Sequence, residues 1–294
     1  MLHSLALARA FAMALAAAVP LALAPQAPAQ AISPREAAPT ALSYGNDRLQ
    51  MVDYWAGATR DAPLVVFVHG GGWKRGDKQM MRGSAKLEHW QSLGYAVASV
   101  NYRLVPDNSV EDEASDVAAA VALLHRQAGR LGFDAGRIAL VGHSAGAHLV
   151  ALVGTDPQWL HGAGLGLDAL AGVVPLDGAA YDVAYQIENS GRLMRRTYDQ
   201  AFGDDPERLR ALSPTLHAAA PNAPAFLILH VQRDDAEVQS KALAKALQDA
   251  GTSAELHGIS GRGLRAHMQI NRDLGEADYP ATAIVDRFLE RIFS

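Results

Sequence analysis

Five short, almost wholly apolar runs recur along this chain: LVVFV at 64–68, AVASV at 96–100, IALVG at 138–142, AGVVP at 171–175 and AFLIL at 225–229. Runs of that length without polar alternation fit strands covered on both faces, as in a parallel sheet. Helical patterns lie between and after them. Residues 113–131 carry Val117, Val121 and Leu124 on one stripe, 238–250 end at Gly251, and 282–293 repeat Ile284, Val285, Phe288, Leu289, Ile292 and Phe293 at helical spacing. The alternation predicts an α/β fold: a mostly parallel, doubly wound sheet with helices on both faces. No internal repeat and no second domain is visible, so residues 32–294 read as one domain.

One stretch breaks the alternation. From Asp177 to Pro214 the chain is longer than a simple crossover needs, and it mixes Tyr181, Tyr185, Tyr198 and Phe202 with many charges. Insertions of this kind either cover a site as a lid or sit on the surface as a helix pair.

With 294 residues, 49% apolar, the chain can bury one substantial core. A net charge of -5 with no basic run argues against nucleic acid and for small-molecule chemistry. Cysteine is absent, which excludes disulfides, thiolate metal sites and a thiol nucleophile. The N-terminus has Arg9, an apolar run from Ala10 to Ala24 broken by Pro20, and small-x-small sites ending at Ala29 and Ala31. That pattern predicts a signal peptide over 1–31, cleaved after Ala29 or Ala31, and an exported protein, periplasmic or secreted. The run is too short for a stable membrane anchor.

GHSAG, Gly142 to Gly146, fits G-x-S-x-G. Its context sharpens the signal, because IALVG reads as a strand ending at Gly142 and AHLVALVG as a helix after it. A sharp strand-to-helix turn brings two backbones too close for side chains, hence the glycines, and it presents Ser144 as a nucleophile. HGGGW, at the end of the LVVFV run, is the second signal. An ester passes through a tetrahedral oxyanion that needs preorganised backbone N–H donors, and Gly71, Gly72 and Ala145 are the candidates.

Two histidines flank the serine. His143 is expected to face away from the hydroxyl, because successive residues at a strand end point to opposite sides. His148 lies in the first turn of the helix, where the dipole disfavours an imidazolium, so it reads as a buried supporting residue. The chain order expected for this chemistry is serine, acid, histidine. After AFLILHVQ, the segment RDDAEV offers Asp234 and Asp235, and GRGLRAHMQINRDLG offers His267 in a loop before the last helix. Asp234, nearer the strand exit, is the acid expected. Asp273 and Asp278 follow the histidine and fit the order poorly.

On HGGGW, NYRLVP, GHSAGAH and HMQINRDLG, the chain from about Pro63 onward resembles the α/β-hydrolase superfamily and, within it, HGGG-type esterases, including carboxylesterases and arylformamidase-like enzymes. The resemblance implies Ser144 as nucleophile, His267 as general base and then acid, and a carboxylate orienting His267. It implies a G-x-x-D loop for that carboxylate, from which this chain departs because Val231 stands where the glycine would be; counting from Val231 favours Asp234 and counting back from Val238 favours Asp235. The resemblance also implies a small-molecule ester substrate and no metal or organic cofactor. An amidase or formamidase would use the same triad. A catalytically silent binding module would be expected to have a broken set, whereas this sequence keeps every part.

Overall fold

The computed structural model describes residues 38–219 and 221–294, so the expected signal peptide lies outside the described residues. Among these, the strands are β1 (Thr40–Ser43), β2 (Met51–Trp55), β3 (Ala62–Val68), β4 (Ala96–Val100), β5 (Phe133–His143), β6 (Gly172–Leu176), β7 (Ala225–Gln232) and β8 (Ser253–Arg262). They form one sheet in the order β1-β2-β4-β3-β5-β6-β7-β8. Pairing is parallel from β4 through β3 to β8 and antiparallel at β1–β2 and β2–β4. The helices are α1 (Ala85–Ser92), α2 (Val110–Leu131), α3 (Ala145–Thr155), α4 (Pro157–Gly162), α5 (Val183–Asn189), α6 (Arg192–Phe202), α7 (Pro206–Ala211), α8 (Pro214–His217), α9 (Asp234–Asp249), α10 (Gly263–Asp273) and α11 (Pro280–Phe293).

The five apolar runs are the five central strands, and their side chains divide between two cores. From β3, Leu64, Val66 and Val68 enter one layer and Val65 and Phe67 the other; β5 divides Ile138 and Leu140 from Ala139 and Val141 in the same way. Period-two alternation with apolar residues at both phases requires cover on both faces. Helices α2, α3 and α9 cover one face, and α1, α10 and α11 the other. Helix α2 shows why its sequence is helical. Ser109 and Asp112 form a capping box, Val117, Val121 and Leu124 are buried, and Gly132 ends it at a φ of 80°.

Three strands escape an apolar-run reading. Strand β2 contains Asp53, which is buried because Lys78 Nζ and Arg82 Nη2 each approach it at 2.6 Å. Strand β8 lies at the sheet edge and is mostly half-exposed, and β1 is a four-residue edge strand. Two expected loops are helical: α9 starts at Asp234, and His267 lies within α10.

Candidate active site

The sheet register fixes where the site forms. Val68 aligns with Gly142, His143 with Leu176, and Leu176 with Leu229. The C-terminal ends of β3, β5, β6 and β7 therefore finish together, which is where open parallel sheets gather ligand-binding groups. His69–Gly72, Ser144, Asp177 and Arg233 all leave the sheet at this edge.

Ser144 occupies a turn with φ 57° and ψ −119°, a conformation that side chains rarely adopt, and its N–H donates to Leu176 O at 3.1 Å. The crossing demands glycine at both flanks. A Cβ on Gly142 would lie 2.3 Å from Gly146 O, and one on Gly146 would lie 2.3 Å from Val68 O. The hydroxyl of Ser144 meets His267 Nε2 at 3.0 Å.

The carboxylate at His267 is Asp177, from the exit of β6, and this corrects the sequence reading. Asp177 Oδ2 lies 2.6 Å from His267 Nδ1, and its Oδ1 accepts the N–H of Val231 at 2.9 Å. The Asp177 side chain is fully buried, with a left-handed φ of 45° that Asp tolerates better than most residues. Asp234 does not reach the histidine because no loop follows β7. Helix α9 begins at Asp234, which lines a polar surface cleft with Gln232, Glu237 and Arg262. Asp235 is also turned away, paired with Arg233 Nη2 at 3.0 Å and accepting from Gln186 Nε2 at 3.2 Å. The β7 exit does supply a charged group, but it is Arg233. Its Nη1 stands 2.9 Å from Asp177 Oδ2 and 2.6 Å from His267 Nδ1.

Both histidines beside the serine have assigned partners. His143 Nε2 donates to the carbonyl of His267 at 2.9 Å, and burial together with the neighbouring His267 lowers it to about 3. It thus holds the backbone of His267 as a neutral ring. His148 Nδ1 lies 3.3 Å from Trp73 Nε1, and Nε2 lies 2.8 Å from Leu212 O. An indole N–H only donates and a carbonyl only accepts, so His148 is a neutral Nε2–H tautomer. Burial lowers it to about 4.

The glycine loop is braced from behind. Tyr102, in NYRLVP, donates its hydroxyl to His69 O at 2.8 Å and stacks on the His69 ring, while Val105 N–H donates to Trp73 O at 3.1 Å. Gly70 passes so close to the elbow that a Cβ there would lie 2.8 Å from Ser144 Cβ. Gly71 and Gly72 follow with φ of 141° and 62°, and Ala145 opens α3 behind the serine.

The irregular stretch after Asp177 forms α5 to α8. Tyr198 and Phe202 of α6 pack on Trp73, and Phe202 also packs on His148. Arg208 in α7 bridges to Glu111 in α2 at 2.7 Å. A cleft of about 430 Å³ opens between α5, the start of α6 and the β7 exit, lined by Gln186, Asn189, Met194, Gln232 and Arg233 among others. Among the described residues, no group of three or more His, Cys, Asp or Glu is arranged to hold a metal ion, and no helix is long and apolar enough to cross a membrane.

Comparison with known proteins finds similarity to esterases. The BD-FAE family model matches residues 54–165. Esterase LipC of Mycobacterium tuberculosis is 32% identical over 206 residues, 65% of this chain and 50% of LipC. The chain spans about half the length of the curated relatives it matches. Among solved structures, a truncated carbohydrate esterase from gut microbiota superposes with a TM-score of 0.73 at 20% identity, over 90% of this chain and 99% of that one. Esterase B from Lactobacillus rhamnosis gives 0.69 at 23%, over 86% and 83%.

Proposed function

This chain belongs to the α/β-hydrolase superfamily, and from that premise we propose that it is a serine hydrolase cleaving carboxylic esters of small to medium size through an acyl-enzyme intermediate. The observation that carries the reading is the continuous path from Ser144 Oγ to His267 Nε2 at 3.0 Å and from His267 Nδ1 to Asp177 at 2.6 Å. Its similarity to Esterase LipC supports an ester as the bond cleaved.

The chemistry follows from the geometry. With Nδ1–H donated to Asp177, the lone pair of Nε2 faces the hydroxyl of Ser144 and takes its proton as Oγ attacks the carbonyl carbon. Charge collects on the former carbonyl oxygen, to which the N–H groups of Gly71, Gly72 and Ala145 are assigned. Nε2–H then protonates the leaving alkoxide. Water repeats the sequence on the acyl-enzyme, returning Ser144 and releasing the acid. The α5–α8 segment, packed on Trp73, is the natural wall of the substrate cleft. The leader-like segment at 1–31 supports export, and N-terminal sequencing of exported protein should find Gln30 or Ile32 first.

The test is turnover of p-nitrophenyl acetate and butyrate beside N-formyl anilines, together with labelling by a fluorophosphonate. Wild-type protein should label at Ser144 and favour the esters, and Ser144→Ala should do neither. Near wild-type turnover by Ser144→Ala sinks the proposal, and preference for the anilides turns it into a formamidase.

A further inference from the structure

The histidine of the proposed triad has two suitors for one ring nitrogen. Nδ1 of His267 lies 2.6 Å from Asp177 Oδ2 and 2.6 Å from Arg233 Nη1. A carboxylate only accepts and a guanidinium only donates, so Nδ1 satisfies one of them at a time. As Nδ1–H it donates to Asp177, and Nε2 is free to take the proton of Ser144. As bare Nδ1 it accepts from Arg233, the proton sits on Nε2, and Nε2–H points at Ser144 Oγ. The second tautomer cannot act as a base. Asp177 keeps partners in either state, because Arg233 Nη1 at 2.9 Å and Val231 N–H at 2.9 Å both donate to it.

We propose that Arg233 is a positioning residue that sets the tautomer and charge state of His267, and that Asp235 regulates it by holding the other side of the same guanidinium. The proposal rests on the triad reading above. Arg233 is held as a fork, with Nη1 toward Asp177 and with Nε and Nη2 on Asp235 at 3.3 and 3.0 Å. Its side chain is 17% exposed, so water screens these charges weakly. Burial pushes the Asp235 carboxyl up, but hydrogen bonding to Arg233 and its charge outweigh this, so Asp235 stays ionised.

The charges around His267 can be followed element by element. Asp177 faces it from β6, and Arg233 with Asp235 from the β7 exit. His143 lies beside it from β5, held neutral. The hydroxyls of Tyr181, Tyr198 and Tyr279 stand around the Asp177–Arg233–Asp235 group, held protonated by burial. Lys86 in α1 lies farther off, near His143. The charges nearest the imidazole are thus two carboxylates and one guanidinium. Removing Arg233 leaves two anions, which favour the imidazolium. Removing the charge of Asp235 leaves a neutral Asp177–Arg233 pair and releases the guanidinium toward Nδ1.

The test reads the ring directly and does not need turnover. In 15N-histidine-labelled Ser144→Ala protein, NMR should show both tautomers of neutral His267, with Arg233→Met moving the ring to Nδ1–H and Asp235→Asn moving it toward Nε2–H. In the Ser144 enzyme, the acid limb of the kcat/KM–pH profile should rise by about one pH unit in Arg233→Met, as expected when a neighbouring cation is lost. It should stay near wild type in Arg233→Lys, which keeps the charge, and move to lower pH in Asp235→Asn. Arg233→Gln substitutes if Arg233→Met does not fold. Unchanged ring nitrogen shifts and an unchanged acid limb in Arg233→Met or its substitute Arg233→Gln overturn the proposal, even if activity falls uniformly. Loss of labelling at Ser144 in the wild type instead overturns the triad reading.

Discussion

Asp177 and His267, 90 positions apart in sequence, meet at 2.6 Å between carboxylate and imidazole Nδ1. The contact exists because β6 ends one residue before Asp177, in register with β5, the strand that leads into Ser144, while α10 returns His267 over the same edge. A carboxylate that fixes the tautomer has a large effect on rate when it is neutralised without change of shape. Asp177→Asn is expected to lower kcat by about 10⁴-fold. Asp234→Asn, on the solvent side of α9, should leave kcat within about twofold, as surface changes away from a site generally do. Ester hydrolysis by the two purified variants separates Asp177 from the acid expected from sequence.

His143 and His148 should make the fold acid-sensitive. In the folded protein they are lowered to about 3 and about 4, whereas in the unfolded chain they take protons near 6.5. Below that pH the unfolded chain binds more protons than the folded one, so stability falls as pH falls. The loss begins near pH 6.5, continues toward pH 4 for His148 and pH 3 for His143, and should reach roughly 2 kcal/mol for each at pH 5. Urea unfolding at pH 7 and pH 5 checks it: a midpoint independent of pH across that window contradicts the buried neutral assignment.

Lys86 obeys the same relation but keeps its charge at pH 7. It is 3% exposed, lies over the Phe67 ring at 5.3 Å, and burial lowers it to about 8. At pH 7 the folded state therefore holds an ammonium at a cost. Between pH 8 and 10.5 the unfolded chain binds the extra proton, so this residue's contribution to stability rises with pH. Lys86→Met should stabilise the protein at pH 7 by on the order of 2 kcal/mol, with the gain shrinking above pH 8. Thermal unfolding of both proteins at pH 7 and pH 9.5 measures it.

Two glycines in helices should behave oppositely. A Cβ at Gly146 would stand 2.3 Å from Val68 O and 2.5 Å from His69 O, both backbone atoms that cannot yield without moving β3. Gly146→Ala is expected to abolish soluble, labelled protein. At Gly129, inside α2, a Cβ would meet nothing within 4 Å. Gly129→Ala should raise stability by about 0.5–1 kcal/mol through the smaller entropy of the unfolded chain. Melting curves of Gly129→Ala and soluble yield of Gly146→Ala are the readouts.

The central strands and the Ser144 turn were legible because their signals are local. A strand buried on both faces has to be apolar throughout, and a strand–Ser–helix crossing has to carry glycine on either side. Strands β2 and β8 were not legible. The charge of Asp53 is compensated by Lys78 and Arg82 from a later segment, and an edge strand needs no apolar run. The acid was misplaced for a related reason. RDDAEV looks like a loop in a string of letters, but the helix starts at its first aspartate and turns that side chain toward solvent.

Sequence alone thus determined the doubly wound sheet and the strand–Ser144–helix turn, because each depends on residue type within a few positions, and chain order singled out His267 as the histidine to expect beside Ser144, where the structure places it at 3.0 Å. Only the tertiary structure decided which carboxylate serves His267, and that Arg233 shares Asp177 with it. Those choices depend on where β6 and β7 end relative to each other, a matter of sheet register and helix start that no local pattern encodes.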